Sequence, residues 1–211
     1  PLSYFKNIAN GHFFYTPSRI GLNNVHRTEL NKLLNKWENI SKSDVIAWLD
    51  CFIKLNTFEI SIPGLKDPSL VPENKTGIII SFLADYNLFK NVKESGWYEE
   101  FKEIIETKLI DVLSNSVFPI LKDNIIKQFS FTPLSIQKRT GSSEGAIVGW
   151  SFEKPVPVLS KIQKADKAVL TPIPTIFQAG QWAYSPAGVP MSILTGKLAA
   201  DSVLKKRKKY S

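Results

Sequence analysis

The sequence predicts an α+β fold, on three observations. Phe58, Ile60 and Ile62 alternate with Glu59 and Ser61, the period of a half-buried strand. Phe101, Ile105, Leu109 and Val112/Leu113 recur instead at steps of three or four, the stripe of a long helix. Strand-like and helix-like segments come in blocks, without the regular βαβ alternation of a parallel sheet.

Each element has its own signal. Phe13-Phe14-Tyr15 reads as a strand broken by Thr16-Pro17-Ser18. A helix is expected over residues 28–37, with Thr28 as N-cap and Leu30, Leu33, Leu34 and Trp37 at helical spacing. A second is expected over 43–50, its apolar members Ile46, Trp48 and Leu49. Pro63-Gly64 ends the strand of Phe58, and residues 77–86, apolar on both faces, predict a central strand. The connection from 63 to 75 is too long for a tight hairpin, and such connections, when they lack structure of their own, tend to be functional or mobile.

Ser95 is placed to cap the longest helix, over 96–117, with Glu99 and Glu100 suiting the macrodipole in its first turn and Pro119 stopping it. Residues 125–131 read as a strand and 132–140 as a turn or short helix. Pro155, Pro157, Pro172 and Pro174 mark 152–174 as extended or looping. A short strand over 175–179 and a helix over 189–206 close the chain.

Composition narrows the class. Hydrophobic residues at 43% against 22% charged describe a folded globular chain, and no apolar run approaches the roughly 20 residues that cross a bilayer. Pro1-Leu2-Ser3-Tyr4-Phe5-Lys6 has neither the charged nor the apolar region of a signal peptide. The chain also begins without Met, which fits processing, an expression boundary or a piece of something longer. A single cysteine, Cys51, excludes an internal disulfide and fits the reducing cytoplasm. Its neighbours Trp48, Leu49 and Phe52 predict a buried, inert thiol.

Basic residues number 27 against 19 acidic, but Lys205-Lys206-Arg207-Lys208-Lys209 holds five of them, leaving 22 against 19 elsewhere. A nucleic-acid binder would spread its charge over a docking face with interleaved aromatics, so no nucleic-acid partner is expected. The tail reads as a solvated helix end, or as a route to peripheral contact with anionic lipid. His12 and His26 have no metal-ligand partner at suitable spacing, so structural roles are expected and no metal. Ser142-Ser143 and Ser185 lack the Gly-x-Ser-x-Gly setting of a nucleophile.

The informative stretch is 180–192, a small-residue loop between a strand and a helix. Pro190 suits a first helical turn, and amides before a helix face its positive end, which favours an anionic or carbonyl oxygen. Gly196, Ala199 and Ala200 let a backbone or ligand approach the helix closely. A ligand site and an ordinary strand–loop–helix connection both satisfy these residues.

Three ordered segments carry a resemblance. Residues 176–182, Gly188-Val189-Pro190, Thr195-Gly196-Lys197 and Ala199-Ala200-Asp201 resemble the C-terminal flavin motif of the phytoene desaturase family, which includes retinol saturase-like enzymes. Thr132-Pro133-Leu134, Arg139-Thr140-Gly141, Glu144-Gly145 and Gly149-Trp150 resemble its Thr-Pro…Arg-x-Gly…Gly-Gly segment. Ile62-Pro63, Asp67-Pro68-Ser69-Leu70, Pro72 and Lys75-Thr76-Gly77 resemble its Asp-Pro-Ser-Leu-Ala-Pro-x-Gly-Lys stretch. The departures are Gln181 where the family has Asp, Met191 where glycine is usual, and a loop thinned to Pro186-Ala187-Gly188.

The resemblance implies an FAD-dependent oxidoreductase acting on carbon–carbon bonds of an apolar polyene or isoprenoid, carotenoid- or retinoid-like. It implies that residues 1–150 form a substrate-binding region and 151–211 a segment closing over the flavin. Gly180 and Gln181 would then approach the phosphate–ribityl part of FAD, and Gly188, Val189, Pro190 and Met191 the isoalloxazine. For Arg139, orienting a substrate and holding the Thr-Pro loop by ion pairing stand equal. Trp97, Trp150 and Trp182 would line an apolar tunnel or pack in a core. No Gly-x-Gly-x-x-Gly occurs, so the chain is expected to be the C-terminal portion of a longer enzyme, inactive alone, without tight FAD binding. Surface left bare by the missing half favours a homodimer. The alternative is a non-catalytic binding or scaffold module of the same ancestry.

Overall fold

The computed structural model describes residues 1–150 and 158–210, with side chains as far as Arg207. The beginning of the proline-marked segment, 151–157, lies outside the described residues. The class is α+β. The chain divides into two compact units, Pro1–Leu134 and Ser135–Ser211.

The first unit holds helices α1 (Leu2–Lys6), α2 (Asn24–Asn35), α3 (Lys42–Leu55), α4 (Pro63–Lys66), α5 (Tyr86–Glu94) and α6 (Tyr98–Ser114), and the start of α7 (Pro133–Thr140). Its antiparallel sheet has the order β1 (His12–Tyr15), β2 (Phe58–Ser61), β3 (Ile79–Ser81). The central strand is β2, with Phe58 and Ile60 buried and Glu59 exposed, as the alternation requires. Tyr15 pairs with Phe58 on one side and Ser81 with Glu59 on the other.

The strand expected over 77–86 as a central one is instead three residues at the sheet edge, with Ile79 exposed. The reason lies in Asp85, whose carboxylate accepts from Asn87 N at 2.8 Å and Leu88 N at 3.2 Å and starts α5 where the strand was expected to continue. Ser95 therefore ends α5 rather than capping α6, and its Oγ accepts from Trp37 Nε1 at 2.9 Å. Helix α6 buries Phe101, Ile105, Leu109 and Leu113, the stripe read from the sequence, and ends before Pro119.

Two more caps fall earlier in the chain than expected. Asn23, not Thr28, caps α2, accepting from Val25 N at 3.0 Å, while the Thr28 hydroxyl donates to Asn24 O. Ser41 and Asp44 form a reciprocal capping box, which begins α3 before residue 43, and the helix continues to Leu55. Val45, Trp48, Leu49 and Ile53 face inward, a stripe that leaves Cys51 on the other side; the thiol expected to be buried is exposed.

The connection from 63 to 75 has structure of its own, α4 and a 3-10 turn at Pro68–Leu70. Asp67 accepts from Ser69 N at 2.9 Å and Ser69 Oγ at 2.7 Å, and these bonds hold its carboxyl below the usual value. No strand forms over 125–131, because no neighbouring strand pairs with it; Phe129 and Phe131 are exposed, in edge contact with each other.

One continuous core runs from Phe5 through β2, α3, α5 and α6 to Phe118. Trp97 belongs to it, so packing and not a tunnel is its fate. His12 bonds Glu59 at 2.7 Å, and His26 stacks on Trp48 and Phe52, with burial lowering its pKa.

The second unit is built around α8 (Val189–Tyr210), longer than the expected 189–206. Among the described residues its buried apolar cluster is Ala165, Ala168 and Tyr184, with Leu159, Met191, Leu194 and Leu198 packed on it. No helix among the described residues is long and apolar enough to cross a membrane.

Candidate functional site

The site begins where the backbone runs into α8. The strand expected over 175–179 reduces to one antiparallel bridge, Leu170 to Phe177, reinforced by Gln178 N donating to Val169 O at 2.9 Å and Gln178 Nε2 to Ala168 O at 2.8 Å. These bonds fix the chain as it enters the glycine loop. A parallel bridge, Leu159 to Tyr184, fixes the loop's middle, with Ser185 N donating to Leu159 O at 3.0 Å and Ala183, Tyr184 and Ser185 buried. The Ser185–Pro186 peptide is cis.

Gly180 has φ +98°, a region that a side chain disfavours, and among the described residues no atom beyond its chain neighbours lies within 4 Å of where its Cβ would be. Its N–H donates at 3.0 Å to Thr195 Oγ1, which donates in turn to Met191 O at 2.8 Å. Thr195 is fully buried, so one hydroxyl ties the loop's start to the second turn of α8. Gly188, at φ +139°, makes the turn into the helix, and its carbonyl accepts from Ser192 N at 2.9 Å. In the first turn the amides of Val189 and Met191 have no helical acceptor, and Pro190 has no N–H to satisfy. Val189 and Pro190 are exposed, while the Met191 side chain packs on the small core.

The upstream motif meets this loop. Gly149, at φ +67°, lies so close that a Cβ would stand 2.5 Å from Gln181 O and 2.6 Å from Ala187 Cβ. Trp150 Nε1 donates to Trp182 O at 2.9 Å, and the two indoles meet edge to face at 5.3 Å. The structure thus brings Trp150, Gln181, Gly188 and the start of α8 into one neighbourhood. Arg139 is exposed on α7, and among the described residues no ion pair engages it.

Chemically the arrangement offers glycine backbone, amides without a helical acceptor at a helix start and a pair of indoles. It is suited to holding an anionic or carbonyl oxygen and a flat apolar group. Among the described residues no group of His, Cys, Asp or Glu could hold a metal ion. The part played by Thr195 is signalled in the sequence only by a hydroxyl amid the inward series Met191, Leu194 and Leu198. Further along α8, Lys197 and Asp201 pair at 2.6 Å, which lowers the Asp201 pKa.

Over 152 residues the chain is 27% identical to the 4,4'-diapophytoene desaturase (4,4'-diaponeurosporene-forming) of Staphylococcus aureus strain Newman, a match covering 69% of this chain and 28% of the relative. The same figures hold for the desaturases of strains USA300 and NCTC 8325 / PS 47. The chain is a distant, partial homologue of these proteins, matching little more than a quarter of their length. No family model matches it, and no solved structure does.

Proposed function

We propose that this chain is the C-terminal portion of an FAD-dependent oxidoreductase that acts on carbon–carbon bonds of an apolar polyene or isoprenoid. The observation that carries the reading is the junction of Gly149-Trp150 with residues 181–187, two motif segments distant in sequence that meet at one helix start. The similarity to the diapophytoene desaturases supports the class of substrate.

The residues fit the cofactor. Among the described residues nothing beyond its chain neighbours lies within 4 Å of a Cβ at Gly180, and the first-turn amides of α8 have no helical acceptor. Gly180 and Gln181 would hold the phosphate–ribityl part; the Gln181 amide can bond a ribityl hydroxyl but adds no charge. Gly188, Val189, Pro190 and Met191 would hold the isoalloxazine. The packing of Met191 on the small core accounts for a side chain where the family has glycine. Bound FAD supplies the hydride acceptor or donor, and the protein's part is position and electrostatics. Trp150 and Arg139 would orient the substrate, residues 1–150 forming its side of the site.

The test is the absorbance spectrum of the longer polypeptide beside that of the 211-residue chain. A yellow parent and a colourless chain are the expected pair, with flavin lost from the parent in Gly188→Val. A parent that stays colourless after FAD is added would overturn the reading, and a non-catalytic binding module would replace it.

A further inference from the structure

In the second unit the chain doubles back between Leu170 and Phe177, which bridge antiparallel, with Gln178 N donating to Val169 O at 2.9 Å behind them. The tip, Thr171-Pro172-Ile173-Pro174-Thr175-Ile176, is braced from within. Thr171 Oγ1 accepts from Ile173 N at 3.2 Å and shares its proton between Ile173 O at 3.0 Å and Ile176 O at 2.9 Å. Ile176 N donates to Ile173 O at 3.0 Å, and Pro172 and Pro174 have no N–H to satisfy.

The hairpin presents apolar side chains outward: Leu170, Ile173 and Ile176 are each more than half exposed. No charged side chain occurs from residue 168 to residue 196. At the base the chemistry reverses. Leu170 N donates to Lys167 O at 3.2 Å, and over residues 161–167 the exposed Lys161, Lys164 and Lys167 are set against Asp166 alone. Lys206 Nζ stands 5.3 Å over the Phe177 ring, which brings the basic end of α8 to the same base. Beyond Asp201 that end has no acidic side chain.

An apolar tip with its backbone bonds closed on itself loses little on leaving water, and cations around its base meet anionic headgroups. The basic collar selects an anionic bilayer surface over an uncharged protein face. We propose that the 170–177 hairpin dips into the surface of an anionic membrane, with Leu170, Ile173 and Ile176 at the acyl boundary and Lys167 and Lys206 among the headgroups. The contact involves no flavin, so it holds or fails independently of the function proposed above.

The experiment is co-sedimentation of the chain with vesicles of phosphatidylcholine alone and of phosphatidylcholine mixed with phosphatidylserine. Binding should be saturable on the mixed vesicles and much weaker on the neutral ones. Ile173→Asp, on an exposed side chain, should weaken it about tenfold or more, whereas Ile173→Leu should keep it. Lys206→Gln should cost about fivefold. The proposed longer polypeptide should bind in the same way. Absence of binding, equal binding to both vesicles, or unchanged affinity in Ile173→Asp, which would leave the attraction to the basic tail alone, would overturn the proposal. So would a longer polypeptide that stays in solution, since the tip would then be covered by the rest of the protein.

Discussion

The two units are held together by different means. In the first, apolar burial dominates: Phe58, Phe101, Phe118, Leu49 and Ile53 are fully buried in one cluster drawn from both helices and sheet. In the second, the buried apolar residues among those described are Ala165, Ala168, Val169, Ala183 and Tyr184, and backbone order rests on bridges, glycine turns and the Thr195 hydroxyl. Its helix also leaves Val189 73% and Ile193 69% exposed. The first unit resembles a protein interior in its own right. The second is a precisely bonded surface with little beneath it, which suits a segment whose burial is completed by a ligand or further chain.

Substitutions should reveal this difference. The largest effect is expected from Phe101→Ala, which empties a site walled by Phe89 and Trp97. It should cost the first unit about 3–5 kcal/mol in denaturant unfolding. Gly149→Ala forces a side chain at positive φ into Gln181 O and Ala187, and should destabilise the second unit by about 2 kcal/mol. Its readout is loss of the Trp150–Trp182 contact in tryptophan fluorescence, with the first unit's transition unmoved. Thr195→Val strands the Gly180 N–H and the effect should be about 1–2 kcal/mol, while Thr195→Ser should restore most of it. Equal responses of both units to all three changes would break the distinction.

The smallest effect concerns pH. Burial lowers the His26 pKa from 6.5, so the folded first unit binds its proton less readily than the unfolded chain does. Stability is full above 6.5 and should fall as pH drops from there through the lowered folded value. Unfolding measured across that range checks it. His26→Phe, which keeps a ring against Trp48 and Phe52, should flatten the dependence.

What was legible in the sequence follows the same division. Periodic burial reads well: the alternation at Phe58 and Ile60 and the stripe of α6 both appear where the pattern put them. Competition between neighbours reads poorly. The apolar run at 77–86 looked like one long strand, but Asp85 caps a helix whose inward residues Leu88, Phe89 and Val92 drew no notice beside it. Residues 125–131 had strand character and found no partner strand, which no local pattern reveals. For Cys51 the apolar neighbours in sequence point to burial, whereas its place on the helix face decides exposure. In the second unit the motif marks the loop and helix start, whereas what fixes them, the Thr195 hydroxyl bond and the close approach of Gly149 to Gln181, is long-range and stereochemical.

The most direct test of the proposed flavin-closing role is hydrogen exchange of the proposed longer polypeptide with and without FAD. Exchange should slow on cofactor binding at the amides of residues 180–192, above all at Val189 and Met191, while β2 and α6 stay unchanged. Exchange at those amides that is indifferent to FAD, in a protein that demonstrably binds it, would contradict the assignment of this loop to the flavin site.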